Sequence, residues 1–217
     1  MTLFIMVARG AGMLNERITL STVELLSTVA DALIVEDSGW LTASRGLAAT
    51  VDSLYPELRH QREQALERRG AMYPLGAALG FELNANDRLY RHAIWAVTFG
   101  YSTQITTGHN DLIRATPLDI AAAAMRCLLQ AAACGARTVV LSALGTRIGY
   151  HNLPPTPKKL PRYVMGAAQL VGMHNALQQT ESIEQVTLCL TQRDYAIFND
   201  LLGRSLDQRN VEDDEHD

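Results

Sequence analysis

An α/β fold in which helices cover a central sheet is the class this sequence predicts, and three observations predict it. The run Ala32-Leu33-Ile34-Val35 is wholly apolar, as strands are when both faces of their sheet are buried. Across the second half of the chain, further short apolar runs alternate with helical segments, which sandwiches a sheet between helix layers. At 217 residues, 47% of them hydrophobic, the chain suits one domain with a sizeable core. Residues 1–204 are assigned to that domain and 205–217, ending in VEDDEHD, to an acidic disordered tail.

The elements follow in order. Thr2 to Ala8 reads as a strand, Gly10-Ala11-Gly12 as a break, and Arg17 to Leu20 as a second extended stretch. Ser21 is placed to cap a short helix, with Glu24 completing a capping box. After the Ala32–Val35 strand, a loop from Glu36 runs into a helix over Ala48 to Arg69, broken at Pro56. The mixed charges from Arg59 to Arg69 describe a solvated helix face. Gly76 to Leu83 and Leu89 to Phe99 read as strands joined by the turn-rich Asn84-Ala85-Asn86-Asp87, and Gly100 to Arg114 as a polar surface loop. Thr116-Pro117-Leu118-Asp119 then starts a helix that ends at Gly135. Val139 to Ala143 is the next strand, Pro161 to Gln179 a helix, Val186 to Leu190 a strand, and Tyr195 to Leu202 the last helix.

Composition narrows the function classes. A formal net charge of −4 offers no global attraction to a phosphate backbone, so nucleic acid is not the expected partner. No window supplies the roughly 18 uninterrupted apolar residues of a membrane span. The opening MTLFIMVARGAGM lacks a basic leader region, which suits a core strand and a cytoplasmic protein. Cys127, Cys134 and Cys189 fall at no zinc-ligand spacing and read as buried free thiols. His151 and His174 have no partner at metal-ligand spacing, His92 reads as a core histidine, and His109-Asn110-Asp111 as a turn. Neither a metal nor a cofactor is implied.

One stretch invites a ligand. Residues 137–150, RTVVLSALGTRIGY, form a β-branched run that breaks into a glycine-bearing loop. Such a loop either presents backbone N–H groups to an anion or is simply a tight strand-to-helix connection.

The order of the pieces adds a family resemblance. Leu141-Ser142-Ala143-Leu144-Gly145-Thr146, a helix, the strand Val186-Thr187-Leu188-Cys189-Leu190 and then Asp194-Tyr195-Ala196-Ile197-Phe198 resemble the C-terminal half of macro domains. Upstream, Ala30-Asp31-Ala32-Leu33-Ile34-Val35 is similar to the family's "vDAIVN" strand, and Ser44-Arg45-Gly46-Leu47-Ala48 stands where its "GGGVA" loop would be. His92-Ala93-Ile94-Trp95-Ala96-Val97 is similar to the central "viHaV" strand.

The resemblance covers roughly residues 15 to 203 and implies a three-layer α/β/α sandwich with a mixed sheet. It also implies a crevice at the strand ends for ADP-ribose or a related nucleotide, flanked by two loops. Leu144, Gly145, Thr146, Arg147, Ile148, Gly149 and Tyr150 would line one side, and Ser44, Arg45, Gly46, Leu47 and Ala48 the other. Tyr195 matches a position near the distal ribose or adenine, although core packing explains it equally well.

The chain also departs from the pattern. Glu36-Asp37 replaces the asparagines of hydrolytic members, and two carboxylates repel a diphosphate unless one is protonated or turned away. Gly46 is the one glycine left in its loop, where Arg45 either pairs with phosphate or fills the pocket. Arg147 follows Thr146 where the family has glycine, and the family's adenine-contacting aspartate is absent. Three readings result. The leading one is a module that binds ADP-ribose or a related nucleoside diphosphate. The second is a structural or interaction protein with a lost pocket, whose partner is another protein or a second copy. The third is an ADP-ribosyl hydrolase in which Glu36 or Asp37 activates water.

Overall fold

The computed structural model describes residues 16–42, 46–83, 89–101, 112–146 and 160–213. Its strands are β1 (Ile18–Ser21), β2 (Ala32–Ser38), β3 (Ala78–Glu82), β4 (His92–Tyr101), β5 (Leu112–Arg114), β6 (Thr138–Leu141) and β7 (Gln185–Cys189). The helices are α1 (Gly46–Leu54), α2 (Glu57–Arg69), α3 (Pro117–Ala133), α4 (Leu160–Gln179) and α5 (Gln192–Asp213), with a 3-10 turn at Leu25–Ser27. The strands form one seven-stranded sheet in the order β1-β7-β6-β2-β4-β3, with β5 pairing on β4. β1, β7, β6, β2 and β4 run parallel, while β3 and β5 are antiparallel to β4, so the sheet is mixed.

The apolar run in β2 explains the three layers. Ala32 to Val35 are fully buried, yet alternate residues belong to different cores. Ala32 and Ile34 join Ile120, Leu128 and Met173 of α3 and α4, with Phe198 of α5. Leu33 and Val35 join Val51 of α1, Leu58 and Ala65 of α2, and Trp95 of β4. Each such aliphatic side chain contributes about 1.5–3 kcal/mol on burial, so both helix layers hold the sheet. Gly172 lets α3 and α4 close together: a Cβ there would stand 2.1 Å from the Ala121 carbonyl oxygen.

Element ends are satisfied by specific side chains. Thr116 and Asp119 form a capping box at α3, with Pro117 in its first turn, as the sequence predicts. The Arg17 guanidinium donates to the carbonyls of Leu177 (3.0 Å), Thr180 (3.1 Å) and Ile183, closing the C-terminus of α4. Asp31 stands before β2 and accepts from the N–H groups of Arg137 (2.9 Å) and Thr138 (3.0 Å), tying the starts of β2 and β6.

Some expectations change. Ser21 does not cap a helix, because β1 extends to it and its carbonyl accepts from Leu190 at 2.8 Å. Its hydroxyl instead accepts from Val23 N–H at 3.1 Å, and Glu24 makes no side-chain cap. The supposed surface loop 100–114 is strand at both ends, since β4 runs to Tyr101 and pairs with Leu112. β2 extends beyond Val35 to Ser38 because β4 continues beside it. α5 starts at Gln192 under a Thr191 hydroxyl that accepts from Asp194 N–H (3.2 Å), and it runs through Asp213. His92 is half-buried at the start of β4 rather than in the core. The Thr2–Ala8 strand, the 84–87 connector, the His109-Asn110-Asp111 turn and His151 lie outside the described residues.

Candidate functional site

β2 and β6 are parallel neighbours, with Ala32 paired to Val139 and Leu33 to Val140. From β2 the chain passes through α1 and α2 to strands on one side; from α3 it returns as β6 on the other. Ligands of α/β sheets bind where connections diverge in this way, outside the carboxyl ends of the strands. Of the sequence-predicted segments, Leu144 to Thr146 follows β6 and Gly46 to Ala48 opens α1, the helix after β2.

Glu36 and Asp37 sit at the end of β2 and point to opposite faces of the sheet, following the alternation of a strand. Glu36 Oε1 accepts from the Gly145 N–H at 2.9 Å and from the Thr98 hydroxyl at 2.5 Å. Asp37 is 3% exposed, and one oxygen accepts from Trp95 Nε1 (3.0 Å) while the other accepts from Ser38 N–H (2.7 Å). The pairing of β2 with β4 shifts between Asp37 and Ser38, so the regular ladder ends at this point. The two carboxylates therefore hold different parts of the structure and form no joint acid/base pair.

The loop after β6 is held from two sides. Gln169 of α4, fully buried, accepts from Leu144 N–H (2.8 Å) and donates to the Ser142 carbonyl (3.1 Å). Gly145 takes φ +66°, and a Cβ there would come within 2.6 Å of Ile120 Cδ1. Glycine alone meets both the backbone conformation and the space. Thr146 is buried, and its hydroxyl donates to the Ala143 carbonyl at 3.3 Å.

Gly46 opens α1 at φ +63°, and no atom of the described residues lies within 4 Å of where a Cβ would stand. Leu47 packs partly against the α1/α2 core and Ala48 is buried in it, so these two support the helix start. Tyr195 packs partly buried against the opposite core. Ser44, Arg45, Arg147, Ile148, Gly149 and Tyr150 lie outside the described residues.

No protein-family model matches the sequence, and no curated protein matches it. Solved structures do. The Oceanobacillus iheyensis macrodomain with ADP has a TM-score of 0.67 at 16% identity, over 90% of this chain and 95% of that one. A mutant of the same macrodomain with ADPR gives 0.66 at 15% identity, over 89% and 96%. The macrodomain of Mycobacterium tuberculosis DarG gives 0.55 at 18% identity, over 79% and 96%. The chain has the macro domain fold.

Within that macro domain fold, the side chains that hold the loop after β6 and its Glu36 partner escape the sequence reading. Gln169 carries the 142–144 turn, and its signal is faint: one amide in the apolar stretch Met165 to Met173 of α4. Thr98 is likewise invisible until β2 and β4 are aligned. The thiols take no part. Burial pushes Cys127 and Cys189 up from the ordinary thiol value, and Cys134 is half-buried rather than buried. Burial also lowers His174, whose Nδ1 has no partner among the described residues. Among the described residues no group of His, Cys, Asp and Glu is arranged to hold a metal ion. No helix among them is long and apolar enough to cross a membrane.

Proposed function

We propose that this protein binds ADP-ribose or a related nucleoside diphosphate between the start of α1 and the Leu144–Thr146 loop. The observation that carries the reading is that the Gly145 N–H already holds a carboxylate oxygen, that of Glu36. A turn whose amide is aimed at an anionic oxygen is suited to a phosphate oxygen as well. The open space at Gly46 and the N–H groups starting α1 supply a second anion-favouring wall. The ADP and ADPR in the Oceanobacillus macrodomain structures support the choice of ligand class.

The test is a thermal-shift titration with ADP-ribose, ADP, AMP and NAD, with Gly46→Glu as control. A ligand of the native state stabilises by RT ln(1 + [L]/Kd), about 2.7 kcal/mol at a hundredfold excess over Kd. A shift with ADP-ribose that Gly46→Glu abolishes supports the reading. No shift with any of the four sinks it.

The Glu36 contact also favours a second reading, a closed crevice in a protein that works through a protein partner or a second copy. There the internal carboxylate permanently takes the ligand's place, and the titration is silent for every nucleotide. Hydrolysis is supported less well, since both oxygens of the buried Asp37 are engaged by Trp95 and Ser38.

A further inference from the structure

A cavity of about 410 Å³ lies behind the loop that follows β2, within the roughly 300–1,000 Å³ of small-molecule sites. Arg59, Arg62, Glu63 and Leu66 line it from one face of α2, at i, i+3, i+4 and i+7. Trp40, Leu41 and Thr42 of the loop and Asp52 of α1 complete the lining. None of these residues belongs to the Gly46 and Gly145 crevice.

Arg62 is built into the wall. It is 4% exposed, pairs with Asp52, donates to the Leu41 carbonyl and lies over the Trp95 ring at 5.5 Å. Its Nε is buried with no hydrogen-bond partner among the described residues, a donor that is costly to leave unmade. Leu41, whose carbonyl it holds, takes φ +51°, the one positive φ outside glycine among the described residues. Strain of this kind gathers at ligand clamps.

The lining chemistry selects a ligand. Arg62 Nε is sealed from solvent, so Arg62 forms the wall and contributes charge rather than a direct donor. Arg59, whose side chain is 68% exposed, approaches Asp52 at 3.4 Å, longer than a strong hydrogen bond, so its guanidinium can take a second acceptor. Glu63 stands one turn further on and is exposed. Two arginines and two carboxylates leave the lining without net charge, which disfavours a phosphate and suits a zwitterion. We propose that this cavity binds a free α-amino acid with an apolar side chain. Its carboxylate meets the exposed Arg59 beside the Arg62 wall, its ammonium meets Glu63, and its side chain lies against Trp40, Leu41 and Leu66.

The experiment uses the full chain, its two tryptophans as fluorescence reporters and thermal shift as a second readout. The probes are L-leucine and L-phenylalanine, each with its carboxylate-free amine and its amine-free acid, and inorganic phosphate. At least one amino acid is expected to saturate the response, whereas the amines, the acids and phosphate do not. Arg59→Gln and Glu63→Gln, both exposed and away from either core, are expected each to weaken binding by about tenfold. Lack of saturation by both amino acids overturns the proposal, as does equal binding of an acid without its amine, or full affinity in both variants.

Discussion

Glu36 and Gly145 are 109 residues apart in sequence, yet a 2.9 Å hydrogen bond joins the carboxylate of one to the N–H of the other. The bond spans the ends of two adjacent parallel strands and fixes the loop on which the ligand reading depends. Thr98 donates to the same carboxylate oxygen, so three strands of the sheet converge on one side chain. Glu36 thus fixes the shape of the turn proposed to bind an anion while occupying it with negative charge.

Glu36→Gln separates these two effects. The amide oxygen still accepts from Gly145 and Thr98, but the charge that opposes a diphosphate is gone. At the effective dielectric of a partly solvated site, removing a like charge several ångströms away is worth about 1–2 kcal/mol. ADP-ribose should therefore bind about tenfold more tightly to Glu36→Gln in calorimetric titration, with little change in melting temperature. Equal or weaker binding would show that the carboxylate does not oppose the ligand.

Gly46 and Gly145 should respond differently to alanine. Gly46→Ala meets no atom and bears the cost of positive φ, about 1 kcal/mol. Gly145→Ala bears that cost and drives a Cβ against Ile120, in the α3 core, for about 2–4 kcal/mol in all. Urea midpoints of the two variants decide the matter, and similar losses would contradict the geometry.

What the sequence made legible were the elements that carry their own local signal. The wholly apolar Ala32–Val35 run, the Thr116-Pro117-Asp119 start of α3 and the Pro56 break each need no distant partner to be read. Ser21 misled because its helix-start signature competes with pairing to β7, and the strand won. β5 escaped notice because three residues in a polar stretch have no periodicity of their own; β4 makes them a strand. The loop after β6 was read from its position in an ordered pattern. Its fastening by Glu36 and Gln169 was not legible, since each bond joins residues that only the folded sheet and helix layer bring together.

Gln169 offers a stability test independent of any ligand. Leucine at this fully buried position keeps the bulk but leaves the Leu144 N–H and the Ser142 carbonyl without their partner. An unmatched buried polar group costs about 1–3 kcal/mol, so Gln169→Leu should lose roughly 2–4 kcal/mol in urea unfolding. Gln169→Glu keeps the acceptor for Leu144 and loses the donor to Ser142, placing a buried charge beside a carbonyl. It should be no more stable than the leucine variant; a wild-type midpoint in either would remove Gln169 from its role.

Asp31 makes stability depend on acid. Burial raises its pKa, but the N–H donations from Arg137 and Thr138, the Thr138 hydroxyl and the nearby Arg91 charge outweigh burial and hold it below the ordinary 3.8. The folded protein therefore binds fewer protons than the unfolded chain in this range. Its stabilising contribution is complete above the ordinary value and is lost as pH falls through the lowered folded value. Asp31→Asn retains an acceptor oxygen for these donors but cannot titrate. Urea midpoints should therefore separate wild type from Asp31→Asn at neutral pH and converge as the solution is acidified below the ordinary aspartate value. A gap that stays constant with pH would mean that Asp31 supports the starts of β2 and β6 through shape and hydrogen bonding alone, without its charge.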